Sequence, residues 1–248
     1  MAPADGYPGP VTALLGLDAR LRLARLYLCT DARERQGDLA DFLEAAFSGG
    51  VDIVQIRQKE MDPDAELEAL EVARTVADRH RGLVCVNDSP RLAGRFQADV
   101  LHLGQTDGSA RAARRHLHEW ALLGRSTHAP EQTDDAVEDQ AVSYFCVGPV
   151  FATATKPDYT PVGLDLVRHA ARVAPPSDLA AKPWFAIGGI TTANLDQVVA
   201  AGARRVCVVR PITQASDPQA AAQALTDRLR QAWHDDQAMQ RYALAALR

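Results

Sequence analysis

Eight short apolar runs recur along this chain, separated by longer segments that mix apolar and charged residues at helical spacing. The runs are Leu26 to Thr30, Ile53 to Arg57, Leu83 to Asn87, Val100 to Gly104, Leu122 to Ser126, Tyr144 to Val147, Trp184 to Gly188 and Arg205 to Val209. Such short, β-branched runs suit strands buried on both faces of a parallel sheet. Parallel neighbours need a crossover, usually a helix, and the intervening segments carry helix signals. Asp38 is placed to cap a segment through Phe42, Ala46 and Phe47, which Gly49 and Gly50 end. Asp62–Pro63 and Asp217–Pro218 each put proline at a first helical position. Asn194 precedes Leu195, Val198 and Val199, and Gly202 closes that segment.

Eight strand–helix units favour a closed TIM (β/α)₈ barrel over an open doubly wound sheet, and 248 residues is the size of one such barrel. With no linker in the pattern, we read one domain over residues 14–230, opened by a short helix from Leu14 to Leu23. Residues 1–13, rich in Pro, Gly and Ala, read as a flexible tail, and 231–248 as a C-terminal helical extension. The apolar positions Leu225, Leu229, Trp233, Met239, Leu244 and Leu247 read as packing surface.

A net charge of −5 argues against a general polyanion binder, so no nucleic-acid partner is expected. No apolar stretch approaches the ~18 residues of a membrane span, and MAPADGYPGP lacks the basic and apolar regions of a signal peptide. A cytoplasmic protein is expected. Cys29, Cys85, Cys146 and Cys207 form no CxxC pair and sit within the apolar runs, so they read as buried reduced thiols.

In a TIM barrel the site lies at the C-terminal ends of the strands, where this chain concentrates its polar residues. Alternation along VQIRQK gives Gln55, Arg57 and Lys59 a common face. The next strand ends in Asn87 and Asp88, and the fourth in HLGQTD, with His102, Gln105 and Asp107. The fifth ends in Ser126 and His128, and the sixth leads to Thr153, Thr155 and Lys156. Arg57, Lys59 and Lys156 suit a diphosphate. Asp88 and Asp107 are hard oxygen donors suited to Mg²⁺ shared with phosphate. Gly188 and Gly189 permit close backbone approach, and N–H groups after strands seven and eight form the common barrel phosphate site. Two anion sites in one mouth imply two phosphorylated substrates. His102 reads equally as a ligand contact or a hydrogen-bonded core residue, and no triad spacing makes Ser126 a nucleophile. His80, His116, His118, His169 and His234 read as ordinary surface residues.

VQIRQK, VND, HLGQTD, GPVFATATKPD and AIGGITTAN, in this order and spacing, resemble the thiamine phosphate synthase family from Leu26 to Pro218. The resemblance implies a small-molecule enzyme that joins hydroxymethylpyrimidine diphosphate to a thiazole phosphate, carboxylated or not, with Mg²⁺ as cofactor and a homodimer as the expected assembly. It implies that Gln55, Arg57, Lys59, Asn87, Ser126 and Lys156 hold the pyrimidine diphosphate. Ile56, Gln58 and His102 join the substrate-binding set, and Arg57, Lys59, Ser126 and Lys156 are the catalytic set. Asp88 and Asp107 would bind the metal. Thr153, Ala154 and Thr155, with Gly189 and the backbone of Val209 and Arg210, would hold the thiazole phosphate.

The chain also departs from the family pattern. Arg210, followed by Pro211, stands where the family usually has serine; Ser89 and Arg91 differ from common choices, and the C-terminal arm is longer. Two other readings share the barrel: a thiazole tautomerase-like isomerase, which needs only the thiazole-phosphate half, and a non-catalytic barrel that binds thiamine intermediates. The metal pair and the diphosphate cations favour the synthase.

Overall fold

The computed structural model describes residues 16–153 and 160–247. Its strands are β1 (Leu26–Thr30), β2 (Ile53–Ile56), β3 (Leu83–Asn87), β4 (Val100–Leu103), β5 (Leu122–Thr127), β6 (Tyr144–Val147), β7 (Trp184–Ile187) and β8 (Val206–Val208). Each pairs in parallel with the next, and β8 pairs with β1 to close the barrel. The helices after β1 to β4 are α2 (Leu39–Ser48), α3 (Pro63–His80), α4 (Pro90–Phe96) and the short α5 (Ala110–Ala113). After β5 to β8 come α6 (Pro130–Glu138), α7 (Gly163–Val173), α8 (Leu195–Ala200), then α9 (Arg210–Thr213) and α10 (Pro218–His234). Helix α1 (Leu17–Leu23) precedes the barrel, and α11 (Gln237–Ala245) follows it. The TIM barrel expected from the eight runs is the observed architecture.

Two-residue periodicity divides each strand between two cores. On β1, Leu26 and Leu28 face the helices, while Tyr27 and Cys29 face the barrel interior. The four cysteines, one each from β1, β3, β6 and β8, all fall in the inward set, and all are buried thiols outside any disulfide. Burial pushes the Cys85 thiol up to about 12, so it stays protonated and packs as a small apolar group.

The predicted caps form at two of the proline-led helices. Asp62 accepts the N–H groups of Asp64 and Ala65, and Asp217 accepts that of Ala220. Asp38 does not cap α2 with its side chain; its carboxylate instead takes both nitrogens of the Arg33 fork at 2.5 and 2.8 Å. A bidentate charged pair outcompetes a single N–H donor for the same oxygens.

The N-terminal end of the barrel is sealed. Leu21 of α1 joins the interior core. Below it, Arg205 is fully buried, donates to the Arg22 carbonyl at 2.9 Å, and lies over the rings of Trp233 (5.1 Å) and Tyr242 (5.3 Å). Burial without a carboxylate partner pushes the Arg205 guanidinium down to about 10. Trp233 also donates its indole N–H to the Arg204 carbonyl, and Arg204 pairs with Asp236 at the start of α11. The arm thus folds back on the barrel floor. Leu225, Leu229, Trp233 and Met239 are buried as expected, but Leu244, near the end of α11, and Leu247, beyond it, are 65% and 52% exposed. Trp233→Ala removes the ring from the Arg205 guanidinium and from that of Arg25, 4.9 Å away, and is expected to cost about 3–5 kcal/mol. A urea unfolding curve checks this, and because the site lies at the opposite end, turnover of the folded variant should stay near wild type. An unchanged midpoint would show that the arm contributes no stability.

Candidate active site at the C-terminal mouth of the barrel

The strand ends open into one cavity of about 900 Å³, room enough for two small ligands. Gln55, Arg57 and Lys59 all line it, as the alternation along β2 requires. Gln55 is buried at its floor, Arg57 is half-buried, and Lys59 reaches the rim. Asn87, His102 and Ser126 line the same wall from β3, β4 and β5. His102 is a buried, hydrogen-bonded residue that also lines the cavity.

Asp88 and Asp107 meet at the mouth. Asp88 follows β3 in the left-handed region at φ 57°, uncommon for a side-chain-bearing residue and costing about 1 kcal/mol. Its backbone N–H donates to the His102 carbonyl at 2.9 Å, and its Oδ2 accepts from Asn87 at 2.7 Å. Asp107 Oδ2 accepts the Gly104 N–H at 2.7 Å. The loop carrying Asp107 is tied to β5, since Arg125 donates to the Gly108 and Gln105 carbonyls. Loss of water around Asp88 pushes its carboxyl up to about 6, helped by hydrogen bonding to Asp107 and by its charge, while Asn87 and Arg57 act the other way. A cation beside Asp88 would offset this repulsion and favour its charged form. The described residues form no cluster of three or more protein donors. A pair of acids in the same cavity as Arg57 and Lys59 fits Mg²⁺, which keeps waters and takes phosphate oxygens as further ligands.

The opposite wall is backbone-rich. Gly188 (φ 101°) and Gly189 (φ 64°) let the loop after β7 pack directly on the loop after β6. A Cβ at Gly188 would meet Pro149 Cα at 2.4 Å, and one at Gly189 the Ala152 carbonyl at 2.7 Å. Asn194 braces the loop by accepting the Thr191 N–H and donating to the Gly189 carbonyl. Gly189, Val209 and Arg210 line this wall, with Thr153 at its edge.

Not every candidate reaches the cavity. Ile56 is fully buried in the outer core against the helices, because it occupies the other phase of the β2 alternation. Gln58 turns to the neighbouring loop, accepting the Ala32 N–H and donating to Glu34. Neither side chain lines the mouth, which corrects the expectation for both. Ala154, Thr155 and Lys156 lie outside the described residues. The sequence reading missed Tyr27, which lines the floor, and Thr191 and Thr192, which line the rim. Tyr27 was hidden in an apolar run, and the threonines looked like ordinary loop residues after the glycines.

A family model described as thiamine monophosphate synthase matches residues 26–212. The chain belongs to that family. A thiamine-phosphate synthase from Thermobifida fusca is 55% identical over 213 residues, covering 86% of this chain and 95% of the relative. One from Streptomyces avermitilis is 54% identical and covers 86% and 97%. A solved thiamine phosphate pyrophosphorylase from Pyrococcus furiosus has the same fold, with TM-score 0.74 and 24% identity over 88% of this chain and 99% of that one. The family match spans all eight strands, so the strand-end residues that line the cavity lie within it, while Ala221 and Ala224 of α10, which also line the cavity, lie beyond it. Among the described residues no helix is long and apolar enough to cross a membrane.

Proposed function

We propose that this chain condenses hydroxymethylpyrimidine diphosphate with a thiazole phosphate, giving thiamine phosphate and diphosphate. The observation that carries the reading is one mouth with two unlike anion walls. Arg57, Lys59 and the Asp88–Asp107 pair form one; the Gly188–Gly189 loop with Val209 and Arg210 forms the other. The reaction breaks the bond between the pyrimidine methylene carbon and the diphosphate oxygen. Diphosphate leaves with the electron pair, and the thiazole nitrogen closes the new C–N bond on the resulting carbocation.

In this reading Gln55, Asn87 and Ser126 orient the pyrimidine. Arg57, Lys59 and Lys156 neutralise the charge that grows on the leaving diphosphate. Asp88 and Asp107 hold Mg²⁺, which when bound supplies further neutralisation of that group. Thr153, Ala154 and Thr155, with the backbone at Gly189, Val209 and Arg210, hold the thiazole phosphate. No side-chain nucleophile is needed: the protein's work is to align two ligands and exclude water. A cytoplasmic enzyme acting as a homodimer completes the reading, the latter checked by its mass in solution. A tautomerase-like isomerase would use only the thiazole wall, and an acid pair beside Arg57 and Lys59 in the same cavity disfavours it. The test is turnover: both substrates with Mg²⁺ yield thiamine phosphate, and neither substrate alone does.

Arg210 supplies a finer prediction. Its sequence alone favours an outward side chain paired with a surface acid, and Arg210→Ser without effect. Arg210 is exposed and lines the cavity, and no ion pair to it occurs among the described residues. Arg210→Ser is therefore expected to raise the thiazole-phosphate KM several-fold, the worth of about 1 kcal/mol of exposed charge-assisted bonding, and to weaken its salt dependence. The pyrimidine diphosphate KM should not move. Unchanged constants for both would place the guanidinium away from phosphate.

A further inference from the structure

A continuous hydrogen-bonded row crosses the barrel interior beneath the cavity. Gln55 Nε2 donates to the Tyr27 hydroxyl at 2.9 Å. The Tyr27 and Tyr144 hydroxyls lie 3.4 Å apart. Tyr144 meets His102 Nδ1 at 3.1 Å, and His102 Nε2 meets Ser126 Oγ at 2.9 Å. Gln55, Tyr27, His102 and Ser126 all line the cavity; Tyr144 is fully buried and does not.

The row exists because β5 has no side chain where it must pass. Gly124 stands in register between His102 on β4 and Tyr144 on β6. A Cβ there would lie 2.2 Å from Tyr144 Cζ and 2.5 Å from His102 Nδ1. Glycine at this one interior position lets two rings from non-adjacent strands meet.

The row also has a direction. An amide nitrogen can only donate. Gln55 is held with Nε2 on Tyr27 and Cys85 Sγ, while its Oε1 accepts the Cys29 thiol at 3.3 Å. Tyr27 therefore accepts a hydrogen bond from Gln55 and can donate one to Tyr144, which donates one to His102 Nδ1. Run the other way, Tyr27 oxygen would accept twice and its hydrogen would be left to sulfur, a weak acceptor. Burial pushes the Tyr144 hydroxyl well above its ordinary value, so it remains a donor.

We propose that Tyr144 is a positioning residue: by donating to Nδ1 it fixes the His102 tautomer that carries its proton on Nε2. That N–H donates to Ser126 Oγ, which leaves the serine hydroxyl hydrogen for the ligand. The floor then offers a hydroxyl donor matched to an aromatic ring nitrogen. This deepens the proposed function and rests on it, since the ligand in question is the aminopyrimidine.

Nitrogen-15 NMR of the ligand-free protein tests the tautomer without any substrate. His102 should show its one-bond N–H coupling at Nε2 and an unprotonated Nδ1. Tyr144→Phe keeps the ring and removes the donor; it should lose this preference and raise the pyrimidine diphosphate KM roughly tenfold, the worth of one neutral hydrogen bond, with the thiazole phosphate KM unchanged. Adding Ser126→Ala to Tyr144→Phe should cost less than Ser126→Ala costs alone. A wild-type His102 protonated at Nδ1 overturns the proposal even if the variant fails to fold. So does a folded Tyr144→Phe with the wild-type tautomer and KM. The predicted tautomer in a protein that binds no pyrimidine diphosphate would support the relay and defeat the functional reading instead.

Discussion

Alanine at Asp107 or at Asp88 is expected to lower turnover by on the order of 10²–10³, the typical cost of removing one preorganised group that stabilises developing charge. Both carboxylates are held before any ligand arrives. Gly104 and the Arg125-braced loop fix Asp107, and Asn87 and a left-handed backbone fix Asp88. In the proposed site, removing either would leave a single acid for a cation that needs several oxygen ligands. The loss should therefore appear together with a higher Mg²⁺ requirement, measured as the Mg²⁺ dependence of kcat/KM. Wild-type turnover by both variants at low Mg²⁺ would remove the shared cation from the account.

Lys156→Ala and Arg57→Ala are expected to lower kcat by about 10²–10³ while changing the thiazole phosphate KM little. The diphosphate gains charge as its bond to carbon breaks, so a cation beside it stabilises the transition state more than the bound substrate. Arg57 stands at the end of β2, its backbone N–H donating to the Thr30 carbonyl at 2.8 Å, and this fixes the root of its side chain. Lys156 enters from the GPVFATATK segment on sequence grounds. Steady-state constants for each substrate separate the cases. Unchanged turnover with a raised thiazole KM would move the residue concerned to the other subsite.

Much of this was legible in the chain because period and punctuation agree. Each apolar run became a strand within a residue or two, and Asp62–Pro63 and Asp217–Pro218 opened helices as their chemistry dictates. The alternation that put Gln55, Arg57 and Lys59 on one face also dictated that Ile56 and Gln58 face elsewhere; grouping the whole motif as a site overrode it. Asp38 shows a different limit. Its cap was lost to Arg33, a competition between neighbours that spacing alone does not reveal. Tyr27 and Tyr144 were illegible for a third reason. Inside an apolar run a tyrosine reads as core, and only the register of β4, β5 and β6 shows that Gly124 opens a path between Tyr144 and His102.

The account turns on two ligands reacting in one mouth, and the stoichiometry of a single incubation tests that most directly. With pyrimidine diphosphate and Mg²⁺ in excess and thiazole phosphate limiting, the account predicts one diphosphate released and one thiamine phosphate formed for each thiazole phosphate consumed. Conversion of the thiazole to an isomer without diphosphate release, or binding of both ligands with no product, would contradict it.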